Sequence, residues 1–144
     1  MSENKNIDEL QKKIKSCIRS KDPDTCVNEA IQFVSKNGID GIDLLELSIL
    51  ERINENYETA YVYALAATQC LDENEKAQSY HNAALIEVTF GDQNKAEDYF
   101  RKALELSPEY LRAHYNYANL LDNQGRTDEA KKHYEEAKSL EAKI

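Results

Sequence analysis

Three histidines and three cysteines are the residues of this chain whose side chains most often bind metals, move protons or act as nucleophiles. They are His81, His114, His133, Cys17, Cys26 and Cys70. None of the histidines lies at a metal-ligand spacing from a cysteine or another histidine, and no two cysteines form a CxxC pair. The pattern therefore predicts neither a metal site nor a disulfide framework, and it is typical of a cytoplasmic protein with reduced thiols.

The sequence also lacks the motifs of the common catalytic sites. The four glycines stand at positions 38, 41, 91 and 125, which is too dispersed for a phosphate-binding loop. No serine lies in a nucleophile elbow, and the many carboxylates are expected on solvated helix faces. We therefore expect no cofactor and no enzymatic activity.

The charge of the chain is acidic and uneven. Its formal net charge is −9, and residues 41–76 carry two Lys or Arg side chains against eight Asp or Glu. Because nucleic-acid binding usually needs a basic surface, no nucleic-acid partner is expected. No apolar run is long enough to cross a membrane, and the charged first residues do not resemble a signal peptide.

Helices are expected to carry all of these side chains. Only four glycines and two prolines interrupt the 144 residues, and several abundant residue types, such as alanine, leucine, glutamate and lysine, favour helix. With 41% apolar residues, the chain is long enough to bury one core. The composition predicts a single all-α domain over residues 1–144.

Two segments of the sequence align without a gap at an offset of 34 residues. The first runs from Ala77 to Tyr110, and the second runs from Leu111 to Ile144. Small and aromatic residues coincide in this register: Gly91 with Gly125, Ala84 with Ala118, Ala96 with Ala130, and Phe100 with Tyr134. A period of this length predicts stacked helical hairpins.

The coincident residues have mechanical roles in such a hairpin. Gly91 and Gly125 lie between two helical patterns, where the chain often takes a positive φ. Asp92 in one copy, and Thr127 or Asp128 in the other, can cap the following helix. The paired alanines allow two helices to approach closely, and a larger side chain there would cost roughly 1–3 kcal/mol.

The two copies resemble the tetratricopeptide repeat family. The resemblance implies a right-handed α-solenoid of about four helix–turn–helix repeats, with a concave surface that faces a partner. Residues 77–110 and 111–144 are typical repeats, and residues 41–76 fit a diverged one with two surplus residues in the loop Asp72–Glu75. Residues 7–40 are either a degenerate repeat or a capping hairpin, in which Asp22 is the expected helix cap.

The final repeat has lysines where the earlier repeats have side chains that pack on the next hairpin. Lys138 takes the place of Val34, Thr68 and Leu104 in those earlier repeats. Because nothing further is expected to stack there, the pattern predicts a complete chain that is mainly monomeric when free.

The resemblance also implies that the first helix of each repeat lines the concave groove. The positions expected there are Asn82, Asn116, Arg112, His81, Tyr115, Asn119, Leu85, Ile49 and Leu45. In the family, an Asn at the place of Asn82 and Asn116 grips the backbone of an extended peptide. A clamp for two carboxylates is not expected, because Leu45 and Ile49 stand where it needs polar and cationic side chains.

These observations favour a non-catalytic adaptor that binds a peptide or protein segment in the groove. The alternative is a structural or regulatory subunit that docks permanently through its convex face or its end hairpins. Because one scaffold of this kind hosts many unrelated partners, the fold does not decide between them.

Overall fold

The computed structural model describes the backbone of residues 2–70 and 72–144, together with their side chains except those of residues 2–5 and 74. The described residues form eight α-helices and no strand. The helices are α1 (Ser2–Ser20), α2 (Pro23–Asn37), α3 (Gly41–Ile53), α4 (Tyr57–Thr68), α5 (Glu73–Phe90), α6 (Gln93–Leu106), α7 (Leu111–Asn123) and α8 (Thr127–Ala142). None of these helices is both long and apolar enough to cross a membrane.

Consecutive helices pair into four hairpins, which stack along the chain. Within each hairpin the two helices pack on each other, and α4 and α6 also pack on the first helix of the next hairpin. The first helices α3, α5 and α7 lie side by side. The predicted fold, a right-handed α-solenoid built from helical hairpins, is therefore confirmed.

The predicted close contacts between paired helices are confirmed in the last two hairpins. Ala84 and Ala96 are fully buried, and Ala118 and Ala130 are buried at the equivalent places. Phe100 is also fully buried, and its ring stacks on Tyr117 with the ring centroids 5.5 Å apart.

The turn predictions are only partly right. Gly125 takes a φ of +77° as expected, whereas Gly91 does not take a positive φ. At Gly91 a Cβ would come within 2.8 Å of the Glu87 carboxylate, which accepts a hydrogen bond from the Asp92 amide, so a larger residue would have to displace that carboxylate. That bond shapes the turn and needs no left-handed residue.

The helix caps predicted at Asp22 and Asp92 are confirmed, but the cap predicted for the last helix is not. Both aspartates accept backbone N–H bonds from the helices that they precede. Helix α8 instead follows Arg126, with no side-chain cap, so the predicted cap at Thr127 or Asp128 is wrong. The loop predicted over Asp72–Glu75 is also wrong, because Asp72 caps a helix that begins at the next residue.

Cys17 and Cys26 form a disulfide, which corrects the prediction of reduced thiols and no disulfide. The turn between α1 and α2 brings their Cα atoms within 5.9 Å, and both side chains are buried in the core of the first hairpins. Spacing alone did not reveal the pair, because the contact depends on where α1 ends and α2 begins. Cys70 is a free thiol on the surface.

Reduction of this disulfide should destabilise the protein. Closing a loop with a sequence separation of 9 restricts the unfolded chain, which is worth about 2–3 kcal/mol in the chain-entropy treatment. Urea unfolding of the wild type with and without dithiothreitol should show this difference. A Cys17→Ser, Cys26→Ser variant should be insensitive to the reductant, and Cys70→Ser should respond like the wild type. Three free thiols in oxidised protein would contradict the assignment.

The aromatic residues Phe100 and Tyr134, which coincide in the repeat, should differ in their effect on stability. Phe100 is enclosed by neighbouring helices, so Phe100→Ala should lower the free energy of unfolding by about 3–5 kcal/mol. Tyr134 is half-buried on α8, which packs only on α7 among the described helices. Tyr134→Ala should therefore cost about half as much. Equal losses in urea titrations would show that the final hairpin is enclosed like the inner ones.

Candidate functional site

The exposed side of α3, α5 and α7, here called the first-helix face, carries the residues expected to meet a partner. The structure places those nine residues at three depths. Arg112, Tyr115 and Asn119 are exposed. Ile49, Leu85 and Asn116 are half-buried. Leu45, His81 and Asn82 are buried, with 5%, 4% and 3% of their surfaces exposed.

The side chain of Asn82 forms hydrogen bonds within the protein. Its side-chain nitrogen donates to Ser48 Oγ at 2.6 Å, and its oxygen accepts a bond from Arg52 Nε at 2.8 Å. Ser48 in turn donates to the carbonyl oxygen of Ala60, which joins the two helices of the second hairpin. The Asn82 amide is thus already satisfied, contrary to the expectation that it stands free for a peptide.

His81 and Asn116 form a second polar link, between α5 and α7. Asn116 Nδ2 lies 2.9 Å from His81 Nε2, and Tyr110 Oη lies 3.1 Å from His81 Nδ1. Since an amide nitrogen can only donate, Nε2 is the accepting nitrogen and the ring proton sits on Nδ1, which donates to Tyr110. Burial lowers the pKa of His81 to about 4, and the charges of Arg112 and Arg52 act in the same direction. The imidazole is therefore neutral near pH 7.

The two asparagines have a common structural role that sequence reasoning missed. Each bonds from one first helix to the preceding one, Asn82 to Ser48 in α3 and Asn116 to His81 in α5. A repeat of asparagines at one helix position is compatible with either role, so the sequence signal was ambiguous. Ser48 and Tyr110, which complete the two links, are not repeated: Ala84 and Ala118 take the place of Ser48, and Ile144 takes that of Tyr110.

Two arginines supply the positive charge of the first-helix face. Arg112 is exposed on α7, and Arg52 is half-buried on α3, where Asn82 holds its Nε. Burial lowers the pKa of the Arg52 guanidinium, and the nearby charge of Arg112 lowers it further. Neither arginine forms an ion pair with any described side chain. The pair is therefore a positive site without an internal counter-ion.

Apolar and amide groups flank the arginines. A cavity of about 400 Å³ beside Arg112 is lined by Gln78, Tyr110 and Leu111. Tyr115 is 53% exposed, and its ring meets Tyr134 edge-on with the centroids 5.5 Å apart. Ile53 at the end of α3 is 65% exposed. The arrangement can hold an anionic group close to an apolar side chain.

His114 and His133 lie elsewhere, between the two helices of the last hairpin. His114 is buried there, and its Nε2–H donates to the carbonyl oxygen of Pro108 at 2.8 Å. Its Nδ1 lies 3.0 Å from Nδ1 of His133, which must then be the donor. Burial and the neighbouring His114 lower the pKa of His133.

Proteins of similar sequence or structure are known. Residues 89–143 match the family described as Tetratricopeptide repeat. The crystal structure of MamA superimposes with a TM-score of 0.69 at 21% identity, over 96% of this chain and 80% of that one. An uncharacterized protein of Methanocaldococcus jannaschii is 44% identical over 62 residues, which are 42% of this chain and 72% of that protein.

A third relative carries a functional name. The photosystem I assembly protein Ycf3 of Acaryochloris marina is 34% identical over 89 residues, which are 60% of this chain. The chain spans about half the length of this relative, 52%. With the fold, the 34-residue period and these matches in place, the chain belongs to the tetratricopeptide repeat family.

Protonation of His81 should weaken the link between α5 and α7. The folded pKa lies below the ordinary value of 6.5, so the unfolded chain binds the proton more readily. The contribution of neutral His81 to the free energy of unfolding is fully present above pH 6.5. It falls as the pH drops towards about 4, with a total loss of about 3 kcal/mol. Urea unfolding at a series of pH values should show this loss in the wild type. In His81→Gln that part of the slope should disappear, and identical slopes would refute the assignment.

Proposed function

We propose that the protein is a non-catalytic adaptor that binds a peptide or protein segment on its first-helix face. The observation that carries the proposal is the pair Arg52 and Arg112, two cations on the first helices either side of α5 with no acidic partner among the described side chains. Charges that lack an internal counter-ion favour an external anion, and guanidinium groups suit carboxylates because they bind both oxygens.

The segment should combine a carboxylate with an apolar side chain. The carboxylate would lie between the two arginines, and the apolar group would enter the cavity beside Arg112 or rest on Tyr115. Asn119 is exposed, and since its oxygen already accepts a bond from Tyr134 Oη, it offers its Nδ2 donor to the backbone of the segment. In this proposal His81 and Asn82 act indirectly, because their polar atoms hold the first helices in register.

Two further features belong to the same proposal. The free protein is a monomer, and its reversible use of an open face distinguishes an adaptor from a permanently docked subunit. The name of the Ycf3 relative, an assembly protein, supports a role in bringing other proteins together.

The predicted cytoplasmic location stays a prediction, and the Cys17–Cys26 disulfide weighs against it, since such bonds are rare in a reducing compartment.

Binding should depend on the first-helix face and not on the outer surface of α8. A peptide selected from a random phage-displayed library on the wild-type protein provides the probe. Arg112→Glu and Tyr115→Ala should each weaken its binding at least about tenfold, because they remove the anion site and the aromatic contact. Isothermal titration measures the effect, with light scattering to establish the monomer.

Lys138→Glu is the matched control, since it makes the same charge change at an exposed position of α8. Its affinity for the peptide should stay within about twofold of the wild type, as surface charges at a distance are screened. The reverse pattern, in which Lys138→Glu abolishes binding and Arg112→Glu does not, would favour docking through the convex surface.

A further inference from the structure

A second surface lies along the edge of the stack where the hairpin turns are. Two adjoining cavities of about 390 and 480 Å³ open there, and they share Glu58 and Phe90 in their walls. The ring of Phe90 is 49% exposed and stacks on Tyr57 with the centroids 5.7 Å apart. Phe90 lines both cavities, and Tyr57 lines the larger one. We refer to the cavities and the pair together as the turn edge.

The turn edge is strongly negative. Six carboxylates line the two cavities against two lysines, Lys15 and Lys95. The carboxylates are those of Asp24, Glu51, Glu55, Glu58, Glu87 and Asp92. No ion pair joins any of them to a cation among the described side chains. The local charge is therefore uncompensated within the chain.

Two of these carboxylates are more than nine-tenths buried. Glu51 is 8% exposed and Glu87 is 6% exposed. One oxygen of each is engaged, since Glu51 accepts a bond from Thr59 Oγ1 and Glu87 accepts one from the Asp92 amide. The other oxygen has no hydrogen-bond partner among the described residues. Because no fully buried side-chain oxygen there lacks a partner, these second oxygens must still reach the open space of the cavities.

A carboxylate that is largely buried normally has a cation beside it, because removing a charge from water is costly. Lys15 and Lys95 line the same cavities but form no ion pair with Glu51 or Glu87, so each carboxylate is open to a cation from outside the chain. The aromatic walls indicate its chemistry, since Tyr57, Tyr61 and Phe90 offer ring faces and apolar surface. Such walls suit the long apolar stem and charged head of arginine or lysine, which bind aromatic faces favourably.

We propose that the turn edge binds a segment of a partner protein that carries arginine or lysine side chains, with one cationic side chain in each cavity on either side of Phe90. The surface shares no residue with the first-helix face, so the protein has two binding surfaces of opposite preference. One takes an acidic and apolar segment, and the other takes a basic one. Neither proposal depends on the other.

The probe for this surface is a fluorescein-labelled twelve-residue peptide of alternating arginine and serine, with its binding followed by fluorescence anisotropy. The wild type should bind the peptide, and Phe90→Ala and Glu58→Gln should each raise its Kd by about tenfold or more. Both positions are exposed, so these substitutions are expected to leave the fold intact, which circular dichroism checks. Glu51→Gln keeps an acceptor for Thr59 while removing the buried charge, and it should weaken the peptide similarly.

The matched control removes as much charge elsewhere. Glu135→Gln and Glu136→Gln are exposed on α8, and neither should change the Kd by more than about twofold. Arg112→Glu should not weaken the arginine peptide, which separates this test from that of the first-helix face. Equal weakening by the α8 variants would mean unspecific attraction to an acidic protein and would overturn the proposal.

Two other occupants give distinct results. If calcium or magnesium chloride binds in a calorimeter with loss of the signal in Glu58→Gln, while the arginine peptide does not bind, the site is a metal site and the proposal fails. If the wild type dimerises in sedimentation velocity and Phe90→Ala does not, again without peptide binding, the turn edge receives a second copy of the chain. That result would overturn the proposal too.

Discussion

The close approach of paired helices at small side chains is the constraint on which this structure depends. Ala84 meets Ala96 and Ala118 meets Ala130 in the last two hairpins, and Ser48 takes the corresponding place opposite Ala60 in the second. Small residues let the helix backbones come near enough for the larger side chains around them to interdigitate. Phe100 stacks on Tyr117 within the same buried cluster as these alanines. The same nesting fixes the first helices side by side and so creates a continuous face.

Close approach also creates positions where polar side chains must find partners inside the protein. Asn82 lies between α3 and α5, and His81 lies between α5 and α7, so both are shielded from water. An unpaired polar group at such depth would cost roughly 1–3 kcal/mol, whereas a paired one specifies the spacing of the helices. Every fully buried polar side-chain atom in the described part of the chain does have a partner. The buried side chains beneath the first-helix face are therefore held in place, and only its exposed side chains can change position.

The period of 34 residues was sufficient to predict the helical hairpins, their stacking and the burial of the small residues. Details that depend on distances across the stack were not predictable in the same way. The sequence cannot tell whether an asparagine on a first helix faces solvent or the neighbouring helix, because a modest rotation decides between them.

The repeat also predicted the same conformation for Gly91 and Gly125, but the turn at Gly91, where the Glu87 carboxylate accepts a bond from the next residue, has a different shape. The Cys17–Cys26 bond was missed for a related reason, since two cysteines with eight residues between them come into contact only when one helix ends between them. The six carboxylates of the turn edge come from six different helices or turns, and no linear pattern joins them.

Opposite charges remain apart in this chain because of helix geometry. Glu51 and Arg52 are neighbours in sequence, yet successive residues of an α-helix point about 100° apart. Glu51 reaches Thr59 at the turn edge, and Arg52 reaches Asn82 on the first-helix face. Neither side chain can neutralise the other without leaving a buried partner unsatisfied, which would cost more than an exposed ion pair returns. Five carboxylates of residues 41–110 thus lie on one surface and the two free arginines on another. A surface of one sign would repel or attract all partners alike, whereas under the two proposals this separation lets one small scaffold distinguish two kinds of segment by charge.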